Sequence, residues 1–276
     1  METNLPVVTV VLPTYNCENY VRESIQSILD QTFTGFELIV IDDASTDRTV
    51  QVIGELKDPR IRLIQKQKNS GYTDSLNQGI ALARGRYIAR MDADDISLPS
   101  RFEKQVNFLE LHKDIAVCGT WYMEIPNNHI AKLPTEHEDI KIGMLENNQL
   151  CHPSVMFKKD FFEANHLCYN RDFESAEDYE LWTRLIAIGK LANLPDVLLH
   201  YRMHEQQVST KHVYTQHARA LICRRKMLLY LLDDCSAEEE KVLDKILAAE
   251  RIRSGPEFEN ALALFDRLVQ KNEEKG

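Results

Sequence analysis

A chain of 276 residues with 43% hydrophobic and 28% charged side chains can build one sizeable core, so no disulfide or metal staple is needed to fold it. Its net charge of −10 excludes nucleic acid as the main partner, because phosphate binding wants a basic face. The six cysteines form no C-x-x-C pair, no basic-then-apolar leader is visible, and no apolar run approaches the ~20 residues of a membrane span, so a cytoplasmic protein is expected.

In chain order, Val7–Leu12 is a β-branched run suited to a strand buried on both faces. Asn16 is expected to cap the next helix, whose inner face carries Val21, Ile25, Ile28 and Leu29. Phe36–Ile41 predicts a second strand ending in Asp42 and Asp43, and Ser45 a cap for a helix with Val50 and Ile53. Ile61–Ile64 predicts a third strand; Leu76, Ile80 and Ala83 mark a helix face, with Gly85 as its stop. Tyr87–Met91 predicts a fourth strand that runs into Asp92-Ala-Asp94-Asp95. This β-α-β-α-β-α-β order implies an α/β fold with a mainly parallel sheet between helices, and ligands in such sheets sit beyond the strands' carboxyl ends. Further on, the pattern predicts a helix over Arg101–Leu111, a strand near Ile115–Gly119 and loops around Pro126 and Pro134. It then gives a short strand after His152, a helix over Glu177–Ile188 and a last strand over Val197–Met203. From Val213 only helical patterns remain, with Ser236 and Glu239 as a capping box. The expected organisation is a nucleotide-sugar-binding half over 1–98, an acceptor-binding half of the same domain over 99–210, and a helical extension over 211–276.

Asp92-Ala-Asp94-Asp95 is the strongest chemical signal. Three carboxylates within four residues repel one another, and leaving them unpaired in a cleft costs on the order of several kcal/mol. A divalent cation such as Mn²⁺ or Mg²⁺, which prefers hard oxygen ligands beside phosphate oxygens, reverses that sign. An acidic turn capping the Arg101 helix is the plainer alternative, and the preceding buried strand weighs against it. Asp42 and Asp43 end a strand where a carboxylate can accept from a nucleobase or ribose, although Ser45 and Asp47 also suit a helix start. Pro13-Thr-Tyr15-Asn16 offers a proline turn and an aromatic face for base stacking. Glu177-Asp178 opens an apolar helix, where the macrodipole favours an ionised Asp able to act as general base. His204 could complete a metal shell as neutral imidazole, and His152 could line an acceptor site. No glycine-rich turn follows the first strand, so a dinucleotide fingerprint and a P-loop are both absent. The rival readings are a sugar-nucleotide pyrophosphorylase, which would need such a loop, and a non-catalytic nucleotide-sugar-binding module.

Val10-Val-Leu-Pro-Thr-Tyr-Asn16, Gln31-Thr-Phe33, Val40-Ile-Asp-Asp-Ala-Ser-Thr-Asp47, Asn69-Ser-Gly71, Tyr87-Ile-Ala-Arg-Met-Asp-Ala-Asp-Asp95 and Glu177-Asp-Tyr-Glu-Leu-Trp182 together resemble the family 2 glycosyltransferases of GT-A fold, over roughly residues 5–210. Ser75-Leu-Asn77 and Tyr201-Arg-Met-His-Glu-Gln-Gln-Val-Ser209 are similar to bacterial lipooligosaccharide hexosaminyl- and galactosyltransferases. The resemblance implies an inverting transfer of a hexose or N-acetylhexosamine from a UDP-sugar to a saccharide or glycolipid acceptor. It implies that Pro13 and Tyr15 contact uracil, that Asp42, Asp43 and Asn69 belong to the donor site, and that Asp92 meets the ribose or the metal. It further implies Asp94 as metal ligand, His204 near the diphosphate and metal, and Asp178 as catalytic base; Glu177 and His152, from their places in the sequence, are expected on the acceptor side. The helix over Ala218–Leu232 mixes Arg219, Arg224, Arg225 and Lys226 with Leu221, Ile222, Met227, Leu228 and Leu231, which suits peripheral contact with an anionic inner membrane face or packing on the catalytic domain.

Overall fold

The computed structural model describes residues 5–204, 207, 213–232, 234–247 and 254–275. The N-terminal half follows the hydrophobic pattern closely. Strands β1 (Val8–Thr14), β2 (Phe36–Asp42), β3 (Ile61–Gln65) and β4 (Tyr87–Arg90) alternate with helices α1 (Val21–Leu29), α2 (Thr49–Glu55) and α3 (Tyr72–Leu82). All seven β1 residues are buried because the sheet is covered on both faces. Val8, Val10 and Leu12 enter one core with Val21, Ile25 and Ile28 of α1, while Val11 enters the other with Leu76 of α3. The remaining elements are β5 (Ile96–Ser97), α4 (Arg101–Leu111), β6 (Ile115–Ile125), β7 (His129–Ala131), α5 (His137–Gly143), β8 (Met156–Lys158), α6 (Lys159–Ala164), α7 (Glu177–Leu185) and β9 (Lys190–Arg202).

The strands form one sheet in the order β3-β2-β1-β4-β8-β6-β9-β5, with β7 on β6. β3, β2, β1 and β4 are mutually parallel. Beyond β4 the sheet turns mixed: β8 is antiparallel to β4 and β6, β9 is parallel to β6, and β5 and β7 are antiparallel edges. The sheet runs unbroken from the 1–98 half into the 99–210 half through β4 and β8. The chain passes outward from β1 through β2 to β3, then crosses back to place β4 on the other side of β1. That reversal is a topological switch point, where the loops after β1 and β4 part and leave a crevice.

Several local expectations are corrected. Asn16 does not cap α1, which begins at Val21; it adopts φ 49° and accepts a 2.8 Å bond from the Thr46 amide. Ser45 does not cap α2, which begins at Thr49; its amide and hydroxyl donate to Asp42, while Asp47 accepts from the Thr49 amide at 2.9 Å. Gly85 is needed for close approach, since a Cβ there would lie 2.5 Å from the Thr9 nitrogen on β1. β9 starts seven residues before the predicted Val197, because the register shift at Pro195 and Asp196 forms a bulge that absorbs the proline. β6 continues to Ile125 because Trp121–Ile125 pairs with β9, and α7 stops at Leu185.

After residue 212 the described chain is helical: α8 (Val213–Leu232), α9 (Ala237–Leu247) and α10 (Gly255–Lys275). Ala220, Cys223 and Met227 of α8 pack into the core that holds Trp182. Lys226 meets Glu180 at 3.0 Å, and Arg225 meets Asp244 at 2.8 Å. The capping box forms, with Ser236 N donating to Glu239 at 2.7 Å and Glu239 N to Ser236 Oγ at 3.2 Å. All six cysteines are free thiols. No described helix is long and apolar enough to cross a membrane.

Candidate active site

The loops after β1, β2 and β4 and the start of α7 meet at the switch point. Asp43 is buried at the end of β2; it accepts from the Ser70 and Gly71 amides at 3.0 and 2.9 Å and pairs with Lys66 at 3.0 Å. It thereby ties down the loop that carries the exposed Asn69. Gly71 must be glycine: φ is 97° and a Cβ would lie 2.8 Å from Glu174 Oε1. Asp42 is turned into the Ser45 turn. Pro13 is buried in β1, whereas Tyr15, two residues on, is 49% exposed and leaves an open ring face at the crevice. Non-glycine residues with positive φ flank these groups: Asn16 after Tyr15, Ala44 after Asp43, and Ser175 just before α7. Each such turn costs roughly 1–2 kcal/mol, and strain of this kind gathers where side chains must be aimed.

The ligand oxygens of Asp92, Asp94 and Asp95 lie within 4.8 Å of one another. Burial, opposed by Arg90 and reinforced by Asp94, raises Asp92 to about 6. Asp95 is fully buried; one oxygen accepts from the Arg202 amide at 2.9 Å, the other has no partner, and burial pushes its carboxyl well above the usual range. His204 Nε2 lies 2.9 Å from Asp94 Oδ2, with the His204 ring packed 4.9 Å from Tyr20. The donor set of hard oxygens, one of them orphaned, with an imidazole beside them fits a divalent cation. Of the motif that includes His204, residues 205, 206, 208 and 209 lie outside the described residues.

Tyr72 bridges this cluster to the next. Its hydroxyl donates to Asp92 at 3.1 Å, and its ring stands edge-on to His152 at 6.3 Å. His152 Nδ1 lies 3.9 Å from both Glu177 and Asp178, and its Nε2 lies 2.8 Å from the Tyr169 hydroxyl. Tyr169 is held by a two-way backbone pairing with the Asn77 side chain at 2.9 Å. Burial, followed by the positive Arg90, holds His152 far below its ordinary pKa and therefore neutral. Asp178 accepts from Asn148 Nδ2 on one oxygen and from the Tyr179 amide on the other, both at 2.7 Å. Burial raises its pKa, against the two amide bonds and Arg90.

Arg90 is the cation common to both clusters. It is buried, meets Asp92 at 2.5 Å, lies 5.4 Å over the Tyr72 ring, and has two further nitrogens without a partner. Sequence reasoning gave it no role, because an arginine inside a buried strand carries no signal until its neighbours are known. Asn148 was missed for the same reason, lying 30 residues from Asp178 in a loop without a motif. Asp95 stood in plain view as the third acid of its run.

Glu177 supplies a test of this electrostatic arrangement. Burial, then the adjacent Asp178, pushes its carboxyl from 4.5 to about 8. A folded-state pKa raised in this way means that the stability linked to neutral Glu177 is complete below about 4.5 and is lost as pH rises through 8. Glu177→Gln should therefore lose less Tm than the parent between pH 6 and 9. Parallel Tm-versus-pH curves would show that Glu177 ionises freely.

The family model for glycosyl transferase family 2 matches residues 9–166, more than half of the chain. An uncharacterized glycosyltransferase of Haemophilus influenzae is 37% identical over 245 residues, covering 83% of this chain and 76% of its own. Residues 1–349 of TarS of S. aureus, solved in complex with UDP-GlcNAc, superpose with a TM-score of 0.67 at 18% identity, over 96% of this chain and 81% of that piece. The mannosyltransferase PcManGT of Pyrobaculum calidifontis, solved with GDP-Man and Mn²⁺, gives 0.59 at 19% identity, over 98% of this chain and 72% of its own. The two solved structures share the GT-A-type fold, and the sequence matches carry the family: this chain belongs to glycosyltransferase family 2.

Proposed function

We propose that the chain transfers a hexose or N-acetylhexosamine from a UDP-sugar to a saccharide acceptor, with inversion and with Mn²⁺ or Mg²⁺, in bacterial surface polysaccharide or lipooligosaccharide synthesis. The observation that carries this reading is the Asp92–Tyr72–His152–Asp178 line, which joins a cation-suited carboxylate cluster to a second buried carboxylate across one crevice. Tyr15 offers its exposed face to uracil beside Pro13, Asp43 and Asn69 shape the loop around the base, and Asp92 meets the ribose or the cation. Asp92, Asp94 and His204 would hold the cation, with Asp95 behind them. When bound, the cation supplies Lewis-acid stabilisation of charge growing on the diphosphate.

Asp178 takes the proton of an acceptor hydroxyl as that oxygen attacks the anomeric carbon and the bond to UDP breaks, through a state of oxocarbenium character. Asn148 and the Tyr179 amide hold both carboxylate oxygens, so little reorientation is needed during the transfer. Neutral His152 and Glu177 line the acceptor side. The TarS complex with UDP-GlcNAc supports the donor class, and the PcManGT complex supports Mn²⁺. Support for peripheral contact with an anionic membrane comes from the exposed Ile222 beside Arg219, whereas Arg225 and Lys226 are engaged in ion pairs within the chain.

The experiment is a sugar-nucleotide screen with Mn²⁺ and a saccharide acceptor library, read as UDP release and as the anomeric configuration of the product. The expected product has the configuration opposite to the donor. Retention of configuration would remove the single displacement, and turnover only with pyrophosphate would replace transfer by pyrophosphorolysis.

A further inference from the structure

His152, Glu177 and Asp178 bring a second group of ligand atoms together on the acceptor side of the crevice, one from each residue and all within 4.8 Å of one another. The group is enclosed rather than solvated: His152 is 8% exposed and Glu177 5%. His152 Nδ1 stands 3.9 Å from Glu177 Oε1 and 3.9 Å from Asp178 Oδ2, too far for a hydrogen bond. Glu177 Oε2 is buried with no hydrogen-bond partner. A buried carboxylate oxygen left without a donor is destabilising, and a cation among these side chains reverses that sign.

We propose that His152, Glu177 and Asp178 form a second divalent-cation site, suited to Zn²⁺, whose filling blocks the acceptor side of the crevice. Zn²⁺ bonds nitrogen and oxygen ligands at about 2.0–2.2 Å, which sets two ligands of a tetrahedron about 3.4 Å apart. An inward shift of about 0.5 Å per side chain therefore closes all three on one ion. Three protein ligands suit a zinc site that keeps one exchangeable position, and an imidazole beside two carboxylates favours Zn²⁺ over Mg²⁺. The contacts behind the ligands are already made. His152 Nε2 lies 2.8 Å from Tyr169 Oη, and with the ring proton on that bond the Nδ1 lone pair faces the carboxylates. The Asn77 side chain holds the Tyr169 backbone at 2.9 Å in both directions, and Asn148 Nδ2 donates to Asp178 Oδ2 at 2.7 Å. Charge agrees with this assignment. Arg90, engaged with Asp92, and a divalent ion on Asp94 would together still leave two of the five carboxylates of both clusters uncompensated. Zn²⁺ on Asp178 takes the lone pair that receives the acceptor proton; this consequence rests on the proposed transfer, whereas the site itself does not.

The test separates the two cation sites by variant. Asp94→Asn, with its first site weakened, should still bind one Zn²⁺ per chain in competition with a chromogenic chelator. Adding His152→Gln should lower that affinity at least about 100-fold, and adding Tyr169→Phe, which keeps all three ligands, about 10-fold. Circular dichroism should match Asp94→Asn in both, and Tyr169→Phe decides the matter should His152→Gln unfold. Co²⁺ in Asp94→Asn should give the visible bands of a four-coordinate nitrogen–oxygen shell, lost on adding His152→Gln. With Mn²⁺ in excess, Zn²⁺ should raise the parent's acceptor KM and leave its donor KM unchanged. Asp94→Asn that binds no Zn²⁺ overturns the proposal, as does binding indifferent to both added substitutions, or inhibition relieved by donor and not by acceptor. Zn²⁺ held through His152 in a chain that transfers no sugar would support the site and overturn the transfer reading alone.

Discussion

Asp178→Asn should bind UDP and the cation as the parent does, yet lose transfer by roughly 10²–10⁴-fold, the range that a positioned general base contributes. The substitution keeps the shape of the side chain and one oxygen. That oxygen can keep the Tyr179 amide while the new NH2 group faces Asn148 Nδ2, so one hydrogen bond of about 1 kcal/mol is lost. The local fold should therefore survive while the lone pair that takes the acceptor proton is gone. The pH profile gives a second readout. Burial raises the Asp178 pKa, and the ionised form is the active one, so parental kcat/KM should climb with pH through a value above that of an ordinary aspartate. In the variant that acid limb should vanish. Parental turnover in Asp178→Asn would remove this residue from the mechanism, leaving Glu177 as the nearest carboxylate to examine.

Asp94→Asn should abolish the cation-dependent part of UDP binding, lowering affinity in Mn²⁺ by at least about 100-fold while leaving the cation-free affinity unchanged. Asp92, Asp94 and Asp95 crowd within 4.8 Å, and both Asp92 and Asp95 have their pKa raised in part by Asp94. Removing one of three like charges should raise the Tm of the cation-free protein while the Tm gain on adding Mn²⁺ and UDP shrinks. The asparagine can still accept from His204, so loss of that 2.9 Å contact does not confuse the result. Calorimetry with and without Mn²⁺ decides it: undiminished cation-dependent binding would strip Asp94 of the ligand role.

The four parallel strands and their helices were legible because each is a local statement. Val8–Thr14 and Phe36–Asp42 are apolar runs with no helical period, and burial on both faces is the one environment that suits them. The corrections came where a polar residue had two partners to choose from. Ser45 and Asn16 both have side chains that cap helices, and both instead stabilise the loops around Asp42 and Thr46, a choice decided by residues about 30 positions away or by the strained turn itself. Pro195 reads as a strand breaker until the β6 partner shows a register shift that accommodates it.

By itself the sequence determined the family, the α/β class and the acidic strand ends, because motif order and hydrophobic period are properties of neighbouring residues. Only the tertiary structure decided that Arg90 stands between two carboxylate clusters, that Tyr72 and His152 bridge them, and that Asn148 orients Asp178. Apart from the local Arg90–Asp92 pair, these are contacts between residues 20 to 80 positions apart, and their energies depend on distance and burial, neither of which a linear pattern encodes.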